Sequence, residues 1–202
     1  MITAVEGPSA AGKTTWWRHN AREFVEECAP TGSEPDESDQ AARAALWVDA
    51  NAARRKAALT PEARTGSAIC DGDPVKLHYS WCLTRIGARP PARFEMEPAA
   101  TRRAFVAERL GLADLVLISI PSAATLRKRR ESDLSRRRRG FDLHVRLGEP
   151  LRKWYQAVDS VDPGSDVGAP PDGPPRTITK TRRARSDPTI IDEIVGRLPR
   201  RG

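Results

Sequence analysis

Residues 7–14 read Gly-Pro-Ser-Ala-Ala-Gly-Lys-Thr, an unbroken G-x-x-x-x-G-K-[ST] phosphate-binding loop. On its amino side Ile2, Ala4 and Val5 form an apolar run that fits a short buried strand over residues 1–6. On its carboxyl side Thr15-Trp16-Trp17-Arg18 continues as a helix over 13–21. Strand, loop and helix in that order give the motif its meaning. Gly7 and Gly12 let the backbone curl so that successive N–H groups point inward at an anion, and the helix adds the positive end of its dipole. The expected contacts to a nucleotide are Gly7, Ser9, Ala10, Ala11, Gly12, Lys13, Thr14 and Thr15. Lys13 is placed to reach the β- and γ-phosphates, and the Thr14 hydroxyl to ligate Mg²⁺. The loop predicts binding of a nucleoside triphosphate.

Around this loop the chain has 202 residues, enough for one domain with a sizeable core. No run of 18 apolar residues occurs, so no membrane span is expected. The start of the chain lacks the basic segment and apolar stretch of a secretory signal. Three cysteines, Cys28, Cys70 and Cys82, form no C-x-x-C pair and read as small hydrophobes in a reducing, cytoplasmic setting. The net charge of +7 is concentrated in two places. Residues 127–139 hold eight Arg or Lys against two acids, and residues 176–202 eight against three, which leaves the rest of the chain acidic. A general nucleic-acid binder carries its basic residues across a face or along an arm, so here position is the clue and not overall pI.

Strands and helices alternate, the pattern of an α/β fold with a mainly parallel sheet. Residues 23–27 are a second strand candidate, followed by Pro30 and a polar stretch over 31–39. A helix is expected from Gln40 to about Leu59, with Pro61 just beyond it. Residues 67–70 form a third strand that runs into Asp71-Gly72-Asp73-Pro74, and a helix over 75–86 stops at Gly87. Another helix covers 98–110, closed by Gly111. The near-continuous apolar run over 114–120 reads as a strand buried on both faces. A helix over 123–130 leads into the arginines, and Leu151, Trp154, Tyr155 and Val158 fall on one face of a later helix. Residues 162–175, with five prolines and three glycines, read as an exposed loop. A weak last strand over 176–179 and a closing helix over 188–198, with Asp187 as N-cap, complete the chain.

The chain carries no guanine-reading N-K-x-D tetrapeptide and no four-apolar run ending in Asp-Glu, which argues against switch GTPases and large ATPases. Over most of residues 1–160 it resembles the small P-loop nucleoside and nucleotide kinases, such as deoxynucleoside and thymidylate kinases. The resemblance rests on the loop Gly7–Thr14, the strand ending at Asp71, and the arginine-rich segment after the strand at Leu115–Ile120. It implies a three-layer P-loop NTPase fold: a mainly parallel five-stranded sheet flanked by helices, with an Arg-rich lid over 127–140.

It also implies roles. Glu27, ending the second strand candidate, looks like the general base of deoxynucleoside kinases, or else is a surface residue beside Glu26. Asp71 and Asp73 stand where that family places the carboxylate that takes the proton of the attacking hydroxyl or holds Mg²⁺ through water. Both also fit as turn formers before Pro74. The family's usual Asp-Arg or Glu-Arg pair is Asp71-Gly72 here, so the arginine is missing. Lid arginines in such kinases contact the transferring phosphoryl, and Arg129, Arg130 and Arg136 are the candidates by position, against a solvated charged face. Trp47, Asn51, Arg54 and Arg55, together with Lys76, Tyr79 and Trp81, flank the expected acceptor cleft, though aromatics at helical spacing are more often core. His78 has no evident partner and reads as a half-buried helix residue. One of Arg182, Arg183 and Arg185 is placed to stack on adenine, with a solvated basic loop as the equal alternative.

The reading is an ATP-dependent small-molecule kinase that uses Mg²⁺ and moves the γ-phosphoryl to a nucleoside, nucleotide or similar acceptor. The alternative is a nucleotide-gated nucleic-acid-binding or regulatory protein with its arginines on phosphate backbones. A homodimer is compatible with either.

Overall fold

The computed structural model describes residues 1–21, 23–133, 140–162, 166–168, 170 and 185–199. At its centre lies β1 (Ile2–Glu6), buried at every position. It pairs in parallel with β2 (Ala68–Asp71) on one side and β3 (Leu115–Ile118) on the other. A short β4 (Asp166–Gly168) continues in parallel beyond β3, so the sheet order is β2-β1-β3-β4. A mainly parallel sheet is expected from the sequence, and every strand pair among the described residues is parallel.

Side chains alternate across the sheet, and this alternation sorts the helices. Ile2 and Ala4 of β1, Cys70 of β2 and Val116 of β3 join the larger apolar cluster. There they meet α2 (Gln40–Thr65), α3 (Leu77–Arg85), α4 (Pro91–Val106), α7 (Gly148–Val161) and α8 (Thr189–Arg197). Val5, Ile69, Leu115 and Leu117 face the other way, toward α1 (Lys13–Asn20), where Trp17 stacks on Phe24. By the same alternation Glu6 follows Ile2 and Ala4 toward α3, whereas Asp71 follows Ile69 toward α1. α5 (Ala123–Ser132) and α6 (Phe141–Val145) lie beside the phosphate-binding loop, with Leu126, Phe141 and Ala11 in one small apolar cluster.

Five expectations need correction. The sheet has four strands among the described residues, and they are not four of the expected five. The 23–27 candidate contributes a single bridge, Val25 to Cys70, the 176–179 candidate lies outside the described residues, and β4 is a strand not expected from the sequence. Val25 donates to Ile69 and accepts from Asp71, both at 2.8 Å, and the flanking residues are not paired in the sheet. The helix expected to stop at Leu59 runs through Pro61 to Thr65. A proline removes one backbone bond, but Glu62 is gripped by Arg185 and accepts the Gly66 amide, which holds the last turn. The helix expected over 98–110 starts at Pro91 and ends at Val106. Pro98 lies inside it because Glu97, Ala100, Thr101, Ala104 and Phe105 are buried, and packing overrides propensity. Within the supposed loop over 162–175, Asp166–Gly168 supplies the partner that the free edge of β3 requires. Finally, α6 was not anticipated.

Residues 176–179, the last expected strand, lie outside the described residues, as do 134–139 of the expected lid. Asp187 does act at the start of α8, accepting the Thr189 amide at 2.9 Å. Among the described residues no helix is long and apolar enough to cross a membrane.

Candidate functional site

The loop after β1 folds as its glycines require. Gly7 has φ +153°, and a Cβ there would lie 2.2 Å from the Ser119 carbonyl oxygen, so the chain after β3 presses directly against it. Gly12 has φ +94° and opens α1, whose first turn carries no acidic residue. Ala10, at φ +68°, is a non-glycine residue in the left-handed region. Such a conformation is disfavoured for a residue with a Cβ and is concentrated at ligand-binding turns. The loop is thus a preformed turn at a helix N-terminus, the geometry that suits a phosphate anion.

Lys13 folds back across this loop. Its ammonium donates to the Gly7 carbonyl at 3.0 Å and lies 3.8 Å from Asp71 Oδ1. Ser119 Oγ donates to the Ala11 carbonyl at 3.1 Å, and Arg129 donates to the same carbonyl at 2.8 Å. An arginine from α5 therefore rests on the rim of the loop.

The loop forms one wall of a cavity of about 1230 Å³, larger than the roughly 300–1,000 Å³ of common single-ligand sites. Its other walls include Asp71, Glu27, Lys76, Tyr79 and His144. It sits outside the carboxyl ends of β1 and β3, where the strand order changes direction, the usual binding crevice of an open parallel sheet.

Beneath the cavity lies a buried polar layer. Glu6 accepts the Asp73 amide at 2.6 Å, and its Oε1 is 3.4 Å from His78 Nε2. Burial alone would raise the Glu6 carboxyl, but His78, Lys76 and Lys13 outweigh it and hold the group well below the usual carboxylate range. Burial pushes the Lys76 ammonium down to about 8, with Glu6 opposing and Lys13 adding to the fall. Lys76 contacts Glu27 and lies 5.7 Å from the Tyr79 ring centre, while the Tyr79 hydroxyl is 3.3 Å from His144 Nε2. Burial, then Lys13 and Lys76, lower His144.

The structure brings Lys13, Thr14, Asp71, Glu27 and Arg129 around one cavity, and Lys76 and Tyr79 join them. Other candidates lie elsewhere. Asp73 is buried, with Oδ1 accepting the Val75 amide at 3.0 Å and Oδ2 the Tyr155 hydroxyl at 3.2 Å, and burial raises its carboxyl. It shapes the turn and does not line the cavity. Arg130 leaves the loop to lie 4.7 Å over the Phe141 ring. Arg136, Arg182 and Arg183 lie outside the described residues.

Arg54 is a buried clamp: it donates to the carbonyls of Glu26, Asp71 and Gly72 at 3.0, 2.7 and 3.0 Å, fixing the Asp71-Gly72-Asp73 turn from behind. Asn51 is buried beside it, and Arg55 donates to the Glu108 carbonyl and to Ser186 Oγ. Trp81 packs against Trp154, and neither it nor Trp47 lines the cavity. Arg185 is not near the loop: it chelates Glu62 and Asp114 at the opposite ends of the strands. His78 is buried against Glu6, not half-exposed and partnerless. Sequence reasoning missed Glu6, Ser119 and His144. Only Glu6 left a signal, as the one carboxylate closing an apolar strand just before the loop.

Among solved structures, the chain is similar to a deoxyadenosine kinase from M. mycoides with bound dCTP. The TM-score is 0.54 at 14% identity, over 98% of each chain. The same kinase with bound dATP gives 0.52 at 14% identity, over 98% of this chain and 99% of that one. At this identity the likeness establishes the fold alone, which the chain shares with that deoxyadenosine kinase. No protein-family model and no curated protein matches the sequence.

Proposed function

We propose that the protein is an ATP-dependent kinase that transfers the γ-phosphoryl of Mg·ATP to a nucleoside, nucleotide or similar hydroxyl-bearing small molecule. The observation that carries this reading is the convergence of Lys13, Asp71 and Glu27 on the lining of one cavity, with Lys13 3.8 Å from Asp71 beside the phosphate-binding loop. Phosphoryl transfer asks the protein chiefly for positioning and charge stabilisation, and these groups supply both.

In this reading the loop amides hold the triphosphate and Lys13 turns from the Gly7 carbonyl to its outer phosphates. The Thr14 hydroxyl and the Asp71 carboxylate are hard oxygen donors that suit Mg²⁺, whose charge would offset that of the β- and γ-phosphate oxygens. Glu27, about two-fifths exposed, faces the space left for the acceptor and is the base that takes the hydroxyl proton. Arg129 holds a guanidinium at the loop rim, where charge spreads over the transferred group. The volume of the cavity supports two ligands side by side.

The test is a screen of nucleosides, nucleotides and other alcohols with labelled Mg·ATP. Labelled product that requires an acceptor and disappears in Lys13→Ala supports the reading. Slow ATP hydrolysis indifferent to every acceptor would overturn it.

A further inference from the structure

We infer that Lys76 is a positioning residue for the acceptor side of this site, clamping Glu27 so that its carboxylate stays turned into the cavity. The inference rests on the kinase reading above. Three observations converge on it.

The first is backbone strain. Lys76 has φ +50°, left-handed for a side chain with no glycine or asparagine advantage, and it opens α3 without a side-chain cap. Asparagine would suit both the conformation and the cap better. A residue that breaks two local rules at a cavity wall points to a requirement for its own side chain.

The second is the room made for its ammonium. A Cβ on Gly72 would come within 3.3 Å of Lys76 Nζ and 2.9 Å of Glu6 Oε1. The turn after β2 is thus shaped around the Lys76 head group, which lies against Glu27 on one side and under the influence of Glu6 on the other. Lys76 is 17% exposed and Glu27 39%, and both line the cavity, so the pair forms part of its surface with the ammonium end the more buried.

The third is the weakness of other supports for Glu27. Its segment meets the sheet at Val25 alone, and the Arg54 bond to the Glu26 carbonyl secures the backbone but not the Glu27 side chain. The direction of the Glu27 carboxylate is set by Lys76.

The experiment compares Lys76→Met, Lys76→Arg and Lys76→Gly with the wild type. Lys76→Met should lower kcat about 100-fold while leaving KM for ATP within about twofold, because Lys76 does not belong to the phosphate loop. Lys76→Arg should restore at least tenfold of that loss. Lys76→Gly should melt higher than Lys76→Met, since glycine accepts the left-handed backbone, and be equally slow. Adding Lys76→Met to Glu27→Gln should cost no further activity, as expected for residues acting as a unit. An unchanged kcat, an arginine no better than methionine, or additive losses would each overturn the proposal. Should the wild type transfer no phosphoryl group at all, the kinase reading falls on its own. The pair is then judged by urea melts of the same double-mutant cycle, where additivity would overturn the clamp.

Discussion

At the amino ends of the strands, Arg185 donates to Asp114 at 2.7 Å and to Glu62 at 2.8 Å, and Asp114 also accepts the Ile2 amide at 2.6 Å. At the carboxyl ends, Lys13 lies 3.8 Å from Asp71, Lys76 touches Glu27, and both pairs border a cavity of about 1230 Å³. The ingredients are alike, basic side chains and carboxylates at strand ends. The first cluster closes on itself: one planar guanidinium meets two carboxylates in its fork geometry, and the amino-terminal ammonium reaches Glu62 as well. The second is looser and leans on space made by glycine. Charges that answer one another fully hold the fold together, whereas charges spread around a cavity can be redirected to a substrate.

The largest effect expected from this contrast is on activity at the open end. Lys13→Ala should lower phosphoryl transfer at least about 1,000-fold, as loss of a charge-stabilising group in phosphoryl transfer does. Its melting temperature should remain within a few degrees of wild type. A variant that unfolds instead would erase the distinction between the two ends.

Next comes the closed end. Arg185→Ala leaves Asp114 without its guanidinium and Glu62 with only the amino-terminal ammonium, 2.5 Å away, and should destabilise the protein by about 3 kcal/mol. Denaturant melts measure this, and KM for ATP should stay unchanged in the folded protein. The same cluster gives a signature in acid. The Arg185 hydrogen bonds hold the Glu62 carboxyl down to about 2 against an ordinary 4.5, although burial opposes them. A depressed carboxyl stabilises the fold fully above about pH 4.5, and that contribution is lost as pH falls toward 2. Melts across this range should flatten in Arg185→Ala.

A buried carboxylate without such a partner set gives the opposite sign. Between α3 and α4, burial pushes the Glu97 carboxyl up to about 7, although Ser80 donates to it and Arg93 Nε lies 3.9 Å away. Its folded state favours the protonated form, so its burden on stability is absent below about pH 4.5 and grows as pH rises to 7. Glu97→Gln should therefore raise the unfolding free energy measured by denaturant melts at pH 8 by on the order of 2 kcal/mol and change it little at pH 4.

The smallest expected effect tests the space at the open end. Gly72→Ala, at φ +84° and against Glu6 Oε1, should destabilise by about 1 kcal/mol. If the turn is shaped for Lys76, activity should fall more than stability does.

Much of the fold was legible because its signals are local. The alternation of Ile2, Thr3, Ala4 and Val5 needs only the two-residue period of a strand, and it also assigns Glu6 to the α3 side. The limits of α2 and α4 are not local, because at Pro61 and Pro98 contacts from elsewhere in the chain outweigh a proline's local preference. The strand candidate at 23–27 had the right residues but found a partner only at Val25.

By itself, the sequence determined the phosphate-binding loop. Its glycines and its lysine lie within eight residues and the helix follows directly, so backbone sterics alone make that segment curl into a turn whose geometry suits an anion. The tertiary structure decided what each charge outside the loop is for. Asp73 is tied to Tyr155 across 82 residues, Arg185 to Asp114 across 71, and Glu6 to the Asp73 amide across 67. Whether a carboxylate is buried, paired or turned to a cavity depends on partners that far away. Asp71 and Asp73, two residues apart in sequence, accordingly end on opposite sides of the difference between site and scaffold.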